Sequence, residues 1–209
     1  YSSMNLRRPI KALTSLSLIE QFLYSVAAYI IVYIFWYEVV LNHATGGNDM
    51  GSLIFLPHGV RYFAILAFGW VGFWAVFFGS LISPMINEEI VKLNPQPWTD
   101  YINIWHNLES LAGAISVLAV VAFLYWAKII DQWKGKLYFR EPSKLLLIVI
   151  SSAFLNGLFS NFITSQSSLS VETNPVRVIR FIAGDIAGGI LLLLFSFIIW
   201  RIWVRYISN

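Results

Sequence analysis

The sequence predicts an all-α, polytopic transmembrane helical bundle of about six helices. Of its 209 residues, 58% are hydrophobic and 12% are charged, whereas an ordinary soluble domain carries about 25% charged residues. The apolar residues also fall into blocks of about 17–25, the length that crosses a hydrocarbon core of about 30 Å. Both observations argue against a water-soluble fold and favour one compact membrane domain.

Six apolar segments mark the predicted helices. They lie at 20–41, 53–68, 71–87, 107–129, 144–164 and 179–203. The second and third share one nearly continuous apolar run that is broken around Phe68-Gly69-Trp70. A run of about 33 residues is too long for one ordinary span, so a tight hairpin is expected there. The helices form a single domain over 20–205, between a cytoplasmic segment at 1–19 and a cytoplasmic tail at 206–209.

The basic residues predict the orientation of the chain. With the N-terminus in the cytoplasm, most Lys and Arg residues lie on that side, and few lie opposite. The cytoplasmic set is Arg7, Arg8, Lys11, Lys128, Lys134, Lys136, Arg140, Lys144, Arg201 and Arg205. The positive-inside rule therefore predicts N-in/C-in with six crossings, in a bacterial inner (plasma) membrane. The net charge of +3 serves this orientation, and no nucleic acid is expected because the basic residues form no aromatic-interleaved patch.

Polar side chains inside the predicted spans are candidates for function, since an ionisable group costs several kcal/mol in a bilayer unless it is paired or hydrated. The spans alternate in direction, and their ionisable residues, together with Asn156 and Asn161, fall toward the outer side. The sequence therefore predicts a polar pocket that is open to the external face. Its predicted ligand-binding residues are Pro57, His58, Arg61, Asn107, Glu109, Asn156 and Asp185.

Two other roles are open for residues in these helices. Arg61 could simply pair with Glu109 or Asp185, which would satisfy buried charge and fix helix packing. The small residues Gly113, Gly184 and Gly188 are expected to let neighbouring helices approach closely.

Catalytic motifs are not found in the sequence. It contains no phosphate-binding loop, no His-Glu-x-x-His pair and no nucleophile elbow, and it has no cysteine. We therefore predict no enzyme activity, no catalytic residue, no metal site and no cofactor.

Several short motifs carry a resemblance to a known family. The stretch Phe55-Leu56-Pro57-His58-Gly59-Val60-Arg61, with the later Phe68-Gly69-Trp70 turn, resembles the second and third helices of membrane-associated sensor domains of the first MASE type. Gly184-Asp185-Ile186-Ala187-Gly188 is similar to that family's motif near the last helix, and Asn107-Leu108-Glu109 is a looser match. The resemblance implies a multi-helix sensory input module that acts on a cytoplasmic kinase or cyclase, in the same chain or in a partner.

The leading functional hypothesis is thus a sensory, ligand-binding module in the lipid bilayer. It would bind a small molecule or an ion in the external pocket and signal through a protein partner or a second copy of itself. The alternatives are an accessory subunit of a larger membrane complex and a substrate-capture component of a small-solute transporter.

Overall fold

The computed structural model describes residues 15–41, 54–91, 104–132, 141–166 and 175–207. These ranges contain six α-helices and no strand. The helices are α1 (Leu18–Phe35), α2 (Leu56–Phe68), α3 (Trp70–Ile86), α4 (Ile104–Trp126), α5 (Pro142–Gln166) and α6 (Pro175–Ile207). The predicted all-α bundle is confirmed. Much of the predicted cytoplasmic segment and many of the basic residues used for orientation lie outside the described residues, so the orientation stays a prediction.

Five of the helices are long and apolar enough to cross a membrane, which makes the chain a multi-pass membrane protein. The exception is α2. It has 13 residues, or about 20 Å at 1.5 Å per residue, against a hydrocarbon core of about 30 Å. The predicted second span began too early, because Ile54 and Phe55 are not helical.

The short helix α2 occupies the centre of the bundle. The residues Pro57 to Tyr62 are all buried, and a helix that is buried on every face belongs to a core. It packs against α1, α3, α4 and α6, and the Tyr62 hydroxyl donates a hydrogen bond of 3.4 Å to the Val149 carbonyl of α5. Every other helix therefore touches α2.

The start of α2 is held by its neighbours, since no side chain of its own caps it. The Phe55 N–H donates to the Gly184 carbonyl of α6 at 2.9 Å, and the Trp36 indole donates to the Ile54 carbonyl. Pro57 stands in the first turn, where its missing N–H removes one donor that would need a partner. Gly188 admits this approach, because a Cβ there would meet the Phe55 carbonyl group. Non-helical backbone at membrane depth is stable when protein covers it in this way.

One residue, Gly69, joins α2 to α3. Its φ of 61° and ψ of −124° lie in a region that glycine adopts and L side chains rarely do. Its N–H donates to the Ile65 carbonyl at 2.8 Å, and its carbonyl accepts from the Phe73 N–H at 3.0 Å. The predicted hairpin at this position is confirmed.

The half of the bundle around the C-terminal end of α2, which we call the inner half after the predicted orientation, is packed with apolar side chains; the half around the N-terminal end of α2 is called the outer half. Its core includes Ile65, Leu66, Val76, Val117, Val121 and Ile148. The buried hydroxyls of Ser116 and Ser152 donate to carbonyls of their own helices, so they carry no unpaired donor into the core. The buried polar atoms of this half are thus satisfied within the protein.

Candidate functional site

Arg61 of α2 lies close to the middle of the bundle. Its Nη2 donates to the Tyr29 hydroxyl of α1 at 3.0 Å, and a Cβ on Gly113 of α4 would lie 2.5 Å from its Cζ. Gly113 is nine residues after the first residue of α4, or about 14 Å along the helix axis. The guanidinium therefore lies near the middle of α4, a helix of 23 residues that is long and apolar enough to cross a membrane.

His58 lies between Arg61 and a carboxylate. Its Nδ1 is 3.2 Å from Arg61 Nη1 and 3.6 Å from Asp185 Oδ2. All three side chains are buried, with Arg61 6% exposed and the other two 0%. Because a guanidinium can only donate, this geometry makes Nδ1 the acceptor and assigns the imidazole proton to Nε2. Arg61 forms a direct ion pair with neither Asp185 nor Glu109 among the described residues, so the simple pairing considered above is not present.

The polar contacts continue from Asp185 into α5. Asn156 Nδ2 donates to Asp185 Oδ2 at 2.6 Å, and the Ser160 hydroxyl donates to Asn156 Oδ1 at 3.4 Å. Side chains of α1, α2, α5 and α6 thus form one connected polar network. In a low-dielectric interior such a network is strong when it is fully satisfied and costly when it is not.

Three buried atoms of this network lack a hydrogen-bond partner within the described part of the chain. They are His58 Nε2, Arg61 Nε and Asp185 Oδ1. An unsatisfied buried polar group costs about 1–3 kcal/mol, and in folded proteins such groups are usually completed by ordered water or a bound molecule. Water or a bound small molecule can therefore supply the partners of these three atoms.

A cavity of about 210 Å³ lies against the network. Tyr29, Arg61 and Asn156 line it from the side of the network, together with Ser160. Its aromatic wall is made of Tyr33, Trp36, Phe55 and Phe181. Its volume is many times the 10–15 Å³ or so that one water molecule needs. The cavity has room for a small polar molecule.

Glu109 and His106 of α4 line the same cavity nearer to the start of their helix. Glu109 Oε1 accepts a hydrogen bond of 2.8 Å from the Thr164 hydroxyl of α5. His106 Nε2 is buried and has no partner among the described residues. The cavity thus holds a cation at its inner end and a carboxylate nearer to the helix ends.

The predicted site residues fall into three groups in the structure. Arg61, Glu109 and Asn156 line the cavity. His58 and Asp185 join the network, but lie behind the cavity wall and do not line it. The other two predicted residues, Pro57 in the first turn of α2 and the half-buried Asn107, are not among the lining residues of this cavity.

The sequence prediction missed the contribution of α1. Tyr29, Tyr33 and Trp36 all line the cavity, and their i, i+4, i+7 spacing is the signal that could have identified one face of a helix. Trp36, the residue after α1, is 8% exposed, and its indole N–H donates to the Ile54 carbonyl in the segment that precedes α2.

Comparison of the chain with protein-family models, curated proteins and solved structures gave no match. Among the described residues, no group of three or more His, Asp or Glu side chains is placed to hold a metal ion. The geometry of the cavity and its polar network therefore carries the functional conclusion.

Proposed function

We propose that the chain is a membrane-embedded sensory module that binds a small polar molecule in this cavity from the external side and signals through a protein partner. The observation that carries the proposal is Arg61. It is an almost fully buried guanidinium near the membrane centre that lines a cavity and makes no ion pair with a carboxylate among the described residues. Ionisable groups at this depth are usually functional, because an idle one would be a large cost.

The composition of the inner half supports a protein that binds a small molecule over one that transports it across the membrane. Below the level at which Tyr62 meets Val149, the described residues contain no buried ionisable side chain. Transporters and channels carry polar groups along the pathway of the solute. The described residues of the inner half do not form such a row of polar groups. A molecule held by Arg61 would be retained at that level.

The position of α2 supports a conformational output. Arg61 and His58 both belong to this helix, which packs directly on α1, α3, α4 and α6. A ligand that draws the guanidinium away from Tyr29 and His58 would shift α2 against all of them. The resemblance to sensor domains of the first MASE type, and an N-in/C-in orientation in a bacterial inner membrane, are further parts of this proposal.

Native mass spectrometry of the full chain, extracted gently from its own membrane, tests the proposal. We expect a retained small molecule on the wild-type protein and on Lys144→Ala, and its loss from Arg61→Ala. Lys144 is the matched control, because it is a cation that pairs with Glu141 at the start of α5, away from the cavity.

Two results would count against the proposed function. Equal retention by Arg61→Ala, with its helical content unchanged in circular dichroism, would mean that the molecule binds elsewhere. A stable protein partner without any small molecule would favour the accessory-subunit alternative.

A further inference from the structure

The cavity contains two groups of opposite charge that are held apart. Glu109 and Gly113 lie four residues apart on α4, so their Cβ positions are about 5–6 Å from each other on one face. The Arg61 guanidinium fills the space that a Cβ on Gly113 would need. Glu109 therefore lies about one helical turn from the guanidinium, yet the two form no ion pair.

Each of the two charges keeps bonding capacity. Arg61 donates one hydrogen bond from Nη1 and one from Nη2 within the protein, and because each of these nitrogens carries two N–H groups, a second donor on each has no partner among the described residues. A guanidinium with available N–H groups binds carboxylates preferentially. Glu109 accepts one hydrogen bond, from Thr164 to Oε1, and its second oxygen has no described partner, so the carboxylate can accept from an ammonium group.

Two of the five aromatic side chains that line the cavity already contact a cation of the protein. The faces of Tyr29 and Phe55 are already occupied by the Arg61 guanidinium, whose Cζ lies 5.7 Å and 5.5 Å from their ring centroids. A quaternary ammonium cage needs such faces to be free. The side chains of Tyr33 and Phe181 also line the cavity and provide apolar surface for the ligand.

The size of the cavity limits the ligand further. At about 210 Å³ it is smaller than the 300–1,000 Å³ or so of pockets for drug-sized molecules. The separation of about one helical turn between Glu109 and the guanidinium favours a molecule whose cation and anion are joined by one or two carbon atoms.

We infer that the cavity binds a small zwitterion of the α-amino-acid type. Its carboxylate lies on Arg61, its ammonium group on Glu109, and its side chain against Tyr33 and Phe181. The inference rests on the proposed function, since it names the chemical class of the molecule that the sensory module binds.

Titration calorimetry on the full chain in lipid nanodiscs tests this class. The probes are L-alanine, L-leucine and L-phenylalanine, each with the carboxylate that lacks its ammonium group and the amine that lacks its carboxylate. We expect at least one amino acid to bind, and both of its singly charged analogues to bind about tenfold more weakly or worse, because each leaves one charge of the cavity unpaired.

Two variants assign the ends of the ligand. Glu109→Gln keeps the size of the side chain and the acceptor for Thr164, so it should weaken the amino acid and leave the simple carboxylate unaffected. Arg61→Gln should weaken both the amino acid and the carboxylate. Lys144→Ala should change neither.

Other outcomes would contradict the inference, and they show whether the ligand class alone or also the proposed function is wrong. A carboxylate or an amine that binds as tightly as its parent amino acid, or a complete lack of amino-acid binding, excludes the zwitterion. If native mass spectrometry still finds another molecule that depends on Arg61, the sensory module stands and only its ligand class falls. If no molecule is retained and no probe binds, both proposals fall.

Discussion

The outer and inner halves of the bundle are built from the same six helices. They differ in the side chains that they bury, which include ionisable groups in the outer half and are mainly apolar in the inner half. In the outer half, Arg61, His58 and Asp185 are buried in a network that leaves three polar atoms without described partners. In the inner half, apolar side chains fill the space and the buried hydroxyls bond to their own helices. Buried charged groups stabilise a fold weakly or not at all, and the inner half shows that this bundle can pack without them. The polar half therefore points to function.

The first test of this difference introduces a charged side chain into the inner half. Val117 is fully buried on α4, about one turn beyond Gly113. We expect Val117→Asp to abolish accumulation of folded protein in the membrane, because an unpaired carboxylate there costs several kcal/mol. The measurement is the yield of monodisperse protein after detergent extraction.

Val117→Thr is the matched control, since threonine has nearly the same shape and its hydroxyl can bond to its own helix. We expect it to fold, at a cost of about 1–3 kcal/mol. A normal yield of Val117→Asp would mean that water or a counter-charge reaches the inner half. The proposed difference in polarity between the two halves would then be wrong.

A deletion in the outer half should have the next largest effect. Asp185→Ala removes the carboxylate beside His58 and the acceptor of Asn156. We expect the free energy of unfolding in detergent to fall by about 3–5 kcal/mol, because Arg61 is left as a buried charge without a carboxylate across His58.

Ser152→Ala serves as the comparison for Asp185→Ala. This hydroxyl is equally buried but bonds only to carbonyls of its own helix, so its loss should cost about 1 kcal/mol or less. If both variants lose the same small amount, the network around Asp185 is not a coupled unit.

Substitutions of two glycines distinguish an effect on helix packing from an effect on ligand binding. Gly113→Ala places a methyl group against the Arg61 guanidinium, and Gly189→Ala places one against the Tyr62 ring, 2.6 Å from its Cε2. We expect both to lower the free energy of unfolding by about 1–3 kcal/mol, while Gly113→Ala alone removes the retained small molecule in native mass spectrometry. Loss of that molecule from both variants would locate its site in α2 packing as a whole.

The smallest expected effect concerns the start of α2. Trp36→Phe removes the indole donor that serves the Ile54 carbonyl, and we expect a loss of about 0.5–1.5 kcal/mol in a thermal unfolding series. Trp74→Phe is the control, because Trp74 is 48% exposed on α3 and should change stability by less than about 0.5 kcal/mol. Equal effects would show that the contact at Ile54 contributes nothing specific.

The sequence predicted the helices and the level of the polar residues because both follow from local composition. Hydropathy blocks identify spans, and the alternating direction of those spans gives each polar residue a depth. This reasoning singled out Arg61, Glu109 and Asn156, which line the cavity. It also predicted the hairpin at Gly69 from a break in one apolar run.

The remaining features depend on which helix faces meet, and composition does not encode that. Tyr29 looks like an ordinary aromatic residue of a lipid-facing helix until its hydroxyl is found on Arg61. The late start of α2 follows from a hydrogen bond between Phe55 and the backbone of Gly184, and a backbone partner leaves no mark in a sequence. The exclusion of Asn107 from the cavity likewise depends on the rotation of α4.

Gly69 gives the bundle a mechanical property. A single residue spans the ends of α2 and α3, so the Cα atoms of Phe68 and Trp70 are each about 3.8 Å from that of Gly69. A connection this short has no slack. If a ligand moved the Arg61 end of α2, no loop residues between the helices could absorb the movement. α3 would then have to change its tilt or rotate about Gly69. The C-terminal end of α2 and the start of α3 are therefore directly connected, and a shift of α2 along its axis would be passed to the start of α3 through Gly69.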